Sequence, residues 1–172
     1  VFKVFQALER GAEDQTAFYN PGVGTMPEPG ASSPIRKRLS VVFGLAFGQG
    51  LMRDCEQAYR FLMQNYEEGD NIILFGFSRG ALTARAVAGM VHMFGLLRRD
   101  QEALLPYLSR SYKEANFGAM RQYRKFSRTR VPIAFLGLWD TVSSYGFAYT
   151  RRALPFATNN RDVKVVRHAL SI

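Results

Sequence analysis

Apolar positions along the chain repeat with two periods. Val1, Val4, Phe5 and Leu8 are spaced by three and four, as on one face of a helix. A loop-rich stretch over residues 18–34, with Pro21, Gly22, Gly24 and further prolines and glycines, predicts turns with at most a short strand. Glycines also punctuate residues 41–50 and read as sites of tight packing. Residues 51–66 then predict an amphipathic helix with Cys55, Ala58, Tyr59, Leu62 and Met63 on one face. Gly69 and Asp70 turn the chain into Ile72, Ile73, Leu74 and Phe75, an apolar run short enough for a buried strand. Ala81, Ala84, Val87, Ala88, Val91 and Phe94 return to helical spacing, which ends at Gly95. Residues 98–130 are helical, basic and aromatic, and suit either part of a cap over a site or helices packed on the flank of a sheet. Residues 131–138 make a second strand, and residues 163–166, running into Arg167 and His168, a third. Alternation of helix and strand predicts the α/β class: a mostly parallel sheet with flanking helices, in a single domain over residues 1–172.

Length and composition qualify that reading. The chain has 172 residues, 47% of them hydrophobic, enough for one sizeable core. A parallel sheet of seven or eight strands with its crossover helices takes roughly 250 residues, at about 30 or more per strand-helix-strand unit. The sheet is therefore expected to be incomplete, and both ends read as cut. Cys55 is the single cysteine, so no intrachain disulfide forms. With His92 and His168 as the only histidines, zinc is not expected, nor is any cofactor. No apolar run approaches the ~20 residues of a spanning helix, and the balance leans slightly towards a cytoplasmic location. The 23 basic and 14 acidic residues give a net charge of +9, densest at Lys113, Arg121, Arg124, Lys125, Arg128 and Arg130. A solvated helix face accounts for that cluster. An anionic membrane surface is the alternative, and no motif supports nucleic acid.

The strand beginning at Ile72 closes on Gly76-Phe77-Ser78-Arg79-Gly80, a G-x-S-x-G pattern set between an apolar strand and an amphipathic helix. In that context the pattern predicts a nucleophile elbow, a sharp turn that holds a strained serine with its hydroxyl raised above the sheet edge. Gly76 and Gly80 are expected to keep Cβ atoms out of the crossing. A serine hydroxyl needs a histidine to take its proton and a carboxylate to orient that histidine. Sites in parallel sheets lie beyond the carboxyl ends of the strands, so Asp70 and Asp162, which precede strands, are on the wrong edge, and Asp140 is on the right one. His92 lies fourteen residues along the helix, ~21 Å from Ser78, and reads as a packing or surface residue. His168 follows a strand and completes the chain order Ser78, Asp140, His168, which makes it the one internal candidate for the base. The Arg79 N–H is the expected oxyanion donor, with a second from another loop. Residues 22–25 are available for that, though a structural turn suits them better. There is no phosphate-binding loop of the G-x-x-x-x-G-K-[ST] type, and Gly44-Leu45-Ala46-Phe47-Gly48 lacks the context of a dinucleotide site.

Several phrases in order carry a family resemblance: Tyr19-Asn20-Pro21-Gly22-Val23-Gly24-Thr25, Gly48-Gln49-Gly50-Leu51, Ala58-Tyr59-Arg60-Phe61-Leu62, Gly76-Phe77-Ser78-Arg79-Gly80-Ala81, Trp139-Asp140-Thr141-Val142 and His168-Ala169-Leu170-Ser171. The chain resembles the α/β-hydrolase domain family that includes the catalytic domains of type VI secretion phospholipase effectors. The resemblance implies Ser78 as nucleophile and Asp140 as triad acid. It also implies that the base lies downstream, in a Gly-Val-His-Ser-Asp-Val-Gly-Gly type segment, leaving His168 a structural or supporting role, and that a strand and an Asp-Gly-Thr loop precede Val1. The leading expectation is a serine hydrolase of carboxylic esters, with lipid and phospholipid esters as substrate class. A non-catalytic or truncated interaction module of the same fold, and an amidase or peptidase, are the alternatives.

Overall fold

The computed structural model describes residues 1–8, 14–21, 39–140 and 154–170, and of residues 39–49 the backbone alone. Helix α1 is Phe2–Gln6 and helix α2 Leu39–Asn65; strand β1, Ile72–Phe77, leads into helix α3, Arg79–Phe94. Strand β2 (Leu96–Leu97) pairs antiparallel with β3 (Ser127–Arg128), and between them lie helices α4 (Leu105–Lys113) and α5 (Met120–Arg124), each preceded by a 3-10 turn. Strand β4 is Ile133–Trp139 and β5 is Val163–Ala169. The main sheet has the order β1-β4-β5, all parallel, which bears out the predicted class.

Helix α2 begins well before the predicted start at residue 51, at Leu39, and runs through Gly44, Gly48 and Gly50. Each glycine costs a helix only about 1 kcal/mol relative to alanine, too little to interrupt a helix held from its other end by packing. Cys55, Tyr59 and Met63 of α2 are buried, as the apolar spacing predicts, with Ala58 and Leu62 packed beside them. Tyr59 fixes the exit of α3: its hydroxyl donates to the Gly95 carbonyl at 2.6 Å and accepts from the Leu97 N–H at 3.0 Å. Burial pushes its phenol pKa up, so that it stays a neutral donor.

The core is largely a helix-on-helix core. Met90, Met93 and Phe94 of α3, Leu105, Leu108 and Tyr112 of α4, and Leu96, Leu97 and Ile133 are fully buried. Each such side chain contributes roughly 1.5–3 kcal/mol. Ala81 and Ala84 let α3 lie directly against Leu136 and Leu138 of β4. The opposite face of the sheet carries Ile73, Phe75 and Phe77, all exposed, with Phe75 against the rings of Phe135 and Trp139.

Of the two readings for residues 98–130, packing on the flank is the one found. Arg124 donates through Nε to the Met93 carbonyl and through Nη2 to the His92 carbonyl, capping the end of α3. Arg128 donates to the Tyr66 carbonyl just beyond α2 and stacks on the Tyr66 ring. These guanidinium groups satisfy carbonyls that a helix end leaves unpaired. The segment is thereby fastened to the end of α3 remote from Ser78, about 24 Å along the helix axis, and does not cap that residue. Of the basic cluster, Lys113, Arg121, Arg124, Lys125 and Arg130 are exposed and Arg128 is half-buried.

Candidate functional site

The chain leaves β1 at Phe77 and enters α3 at Arg79, so one residue, Ser78, makes the whole turn. Its backbone sits at φ 53°, ψ −115°, a conformation that costs a non-glycine residue about 1–3 kcal/mol. Two hydrogen bonds hold it: the Ser78 N–H donates to the Trp139 carbonyl at 2.8 Å, and the Ser78 carbonyl accepts from the Ala81 N–H at 3.1 Å. Ser78 occupies the N-cap position of α3, yet its side chain makes no capping bond. A serine at this position usually folds its hydroxyl back onto the helix; here the hydroxyl is not used that way. The first N–H groups of α3 are at the positive end of the helix dipole, beside the serine.

Gly76 is what makes so tight a turn sterically possible. A Cβ there would lie 2.4 Å from the Ala81 Cα and 2.4 Å from the Gly80 carbonyl oxygen, both backbone atoms that cannot swing away. Gly80 differs from the expectation: among the described residues nothing stands within 4 Å of its would-be Cβ. The start of α3 crosses above residue 76, whereas residue 80 already faces outward. Gly76→Ala is therefore expected to destabilise the fold by at least about 3 kcal/mol in urea titrations. Gly80→Ala should be neutral or stabilising by up to about 1 kcal/mol. Equal costs at the two positions would refute this account of the turn.

Asp140 occupies the matching place one strand over. Phe77 is in register with Trp139, so Ser78 and Asp140 are the next residues beyond two adjacent strands, whose axes lie about 4.8 Å apart. Asp140 also has a positive φ, 43°, and its N–H donates to the Ala169 carbonyl at 2.9 Å. Asp70 and Asp162 precede β1 and β5, on the opposite edge, as the strand directions require.

His168 requires a correction. It was expected just after a strand, but β5 continues to Ala169, because the ladder with β4 persists until Asp140 bonds Ala169. His168 is thus inside the strand, in register with Leu138, exposed, and separated from β1 by β4. Register puts it on the same sheet face as Gly76 and Leu138, the face that α3 covers. Residues 22–25, the other oxyanion candidate, lie outside the described residues. Arg79 is the first residue of α3.

His92 lies in the last turn of α3, with Nδ1 2.8 Å from the Asp162 carboxylate and its ring 4.2 Å from that of Phe156. This is a histidine-carboxylate pair at the wrong edge for Ser78, and sequence spacing had no means of pairing two residues seventy positions apart. Such a partly exposed pair contributes about 0–1 kcal/mol. Cys55 is fully buried with its thiol pKa pushed up by desolvation and then by Asp54 and Glu56, the reverse of an activated thiol. Among the described residues no group of three or more His, Cys, Asp and Glu side chains is arranged to hold a metal, and no helix is long and apolar enough to cross a membrane.

Comparison with known proteins adds the following. Residues 1–172 match the family model described as the T6SS phospholipase effector Tle1-like catalytic domain. An uncharacterized protein of Saccharomyces cerevisiae (strain ATCC 204508 / S288c), YEL023C, is 32% identical over 191 residues, covering 100% of this chain. The chain spans 28% of that relative's length. No solved structure matches.

Proposed function

This chain belongs to the family of T6SS Tle1-like phospholipase effector catalytic domains, and from that premise we propose that it hydrolyses carboxylic esters of lipids with Ser78 as nucleophile. The observation that supports this most is the backbone of Ser78: a strained turn from strand to helix, with the serine hydroxyl left out of the helix cap it would ordinarily serve. A nucleophile elbow has this form, since the tight turn lifts the hydroxyl clear of the strand and beside the helix N-terminus.

The proposed sequence of events follows from the placement of the residues. Ser78 Oγ attacks the ester carbonyl carbon as a histidine takes its proton. The oxygen that becomes negative is held by the Arg79 N–H, at the positive end of α3. Collapse of the tetrahedral species expels the alcohol, which takes the proton from the histidine, and water then releases the carboxylic acid by the same route. Asp140, beyond the neighbouring strand, orients the histidine and stabilises its protonated form. His168 is the internal candidate for that histidine. The resemblance assigns the role to a glycine-rich segment following residue 172, in which case His168 supports the end of β5 beside Asp140. The adjacent parallel strands β1 and β4 supply the two proposed residues from one edge, where parallel sheets gather their sites.

A fluorophosphonate probe tests the reading directly, because it labels only a serine that a working base has activated. The full-length protein is expected to be labelled at Ser78. A folded sample without labelling at that residue overturns the proposal, and labelling combined with turnover of amides but not esters moves the assignment to an amidase.

A further inference from the structure

Helix α2 changes character along its length. From Leu51 onward it is amphipathic, with Cys55, Tyr59 and Met63 buried and the charged residues Arg53, Glu56 and Arg60 set between them. Residues 39–50 contain no Asp, Glu, Lys or Arg: Leu39, Val41, Val42, Phe43, Leu45 and Phe47 give this half of the helix no charged face. A helix that is apolar all round is covered on every side, by protein or by lipid. Its place in the fold favours lipid. The Cys55 thiol lies 3.9 Å from the Thr83 carbonyl, in the second turn of α3, and the Tyr59 hydroxyl reaches the Gly95 carbonyl at the end of α3, so the two helices run in the same direction. With Cys55 level with Thr83, the start of α3 at Arg79 is level with a residue near 50. The stretch from Leu39 therefore runs on roughly 15 Å past the carboxyl edge of the sheet, the edge that carries Ser78 and Asp140.

We infer that residues 39–50 of α2 dock the protein onto an anionic phospholipid bilayer, with the Ser78 edge turned towards the lipid. The stretch is ~18 Å long at 1.5 Å per residue, well short of the ~30 Å hydrocarbon core, so it enters one leaflet and does not cross. Charge complements the apolar content. In the sequence Arg36, Lys37 and Arg38 come directly before this stretch, and Arg53 and Arg79, both exposed, stand towards its other end. Basic residues flanking an apolar helix draw it to anionic headgroups. A lipid ester is presented at the bilayer surface, so an apolar element projecting from the Ser78 edge brings the ester carbonyl and the proposed nucleophile to the same plane. The basic cluster of residues 113–130 is fastened to the other end of α3, where Arg124 caps the helix, and is not part of this surface. Docking of this kind rests on the lipid-ester reading for the identity of its partner, but binding itself needs no turnover.

Co-sedimentation of the full-length protein with vesicles of ether-linked phosphatidylglycerol and phosphatidylcholine, which offer no carboxylic ester to cleave, tests binding apart from catalysis. Saturable binding is expected, about tenfold or more tighter than to ether-linked phosphatidylcholine alone. Phe43→Asp combined with Phe47→Asp, four residues apart on α2, should weaken binding by about tenfold or more and lower turnover of phospholipid vesicles, with turnover of a soluble short-chain ester unchanged; circular dichroism checks the fold. Hydrogen exchange in the wild-type protein decides the matter if the double variant fails to fold: residues 39–50 should gain protection when vesicles are added. Vesicle binding without turnover of any ester would refute the chemistry at Ser78 and leave the docking standing. Absence of sedimentation, equal binding to the two vesicle compositions, unchanged binding or vesicle turnover in the folded double variant, or loss of its short-chain ester turnover would each overturn the assignment. So would exchange over residues 39–50 that is slow without vesicles and unchanged by them, the result expected if the rest of the protein covers the helix.

Discussion

Ser78→Ala is expected to lower ester turnover by the full-length protein by about 10⁶-fold, the scale seen when a triad nucleophile is removed, with the fold unchanged. Both halves rest on the same geometry. Serine at a helix N-cap normally contributes about 0.5–2 kcal/mol through its side-chain bond to the first turn. Ser78 makes no such bond, so alanine has little to lose there. The positive φ of 53° strains serine and alanine alike, since each carries a Cβ, and the bonds to Trp139 and Ala81 belong to the backbone. Stability should change by less than about 1 kcal/mol. Rates of a short-chain ester and of a phospholipid, measured with urea unfolding on the same samples, separate the outcomes. Turnover retained above about one per cent would remove Ser78 from the chemistry, and a loss of activity that tracked a loss of folding would leave it a structural residue.

Asp140→Asn is expected to cost about 10³–10⁴ in kcat with KM little changed, because the amide holds a catalytic histidine in the wrong tautomer rather than altering substrate contact. The substitution is a clean one structurally. Asp140 has φ 43°, a region that asparagine tolerates more readily than most residues, and its ladder bond to Ala169 uses the main-chain N–H. Unfolding should therefore move by under about 1 kcal/mol. If the aspartate serves only to turn the chain out of β4, the same variant would change kcat by less than tenfold. That outcome would require another acid for the triad.

Much of the fold was legible from local pattern. The run from Ile72 and the small-residue helix after Ser78 were read correctly because each satisfies one simple rule: a strand short and apolar enough to be buried, and a helix whose alanines recur on the side facing β4. Reading failed where a rule competes with cooperativity. Glycines 44, 48 and 50 looked like punctuation, yet α2 passes through them, since one glycine removes little from a helix already anchored by Cys55, Tyr59 and Met63. The end of β5 was misplaced for a related reason. Nothing local extends a strand through Arg167 and His168; the parallel partner β4 does. Among the candidate residues, Ser78 was legible from the G-x-S-x-G pattern between strand and helix, and the edge of Asp140 was legible because strand direction sorts acids onto edges.

Sequence alone determined the α/β class, the strand-serine-helix turn, the need for glycine at residue 76 and the edge on which Asp140 lies. These follow from periodicity, sterics and chain direction, which act over a few residues. Tertiary structure alone decided that no described residue stands within 4 Å of a Cβ at residue 80, that Arg124 and Arg128 cap helix ends, that His92 pairs with Asp162, and that His168 is held inside β5. Each of those depends on which distant groups meet, and hydrogen-bond satisfaction and close packing are properties of the assembled sheet and helices that no stretch of the chain carries by itself.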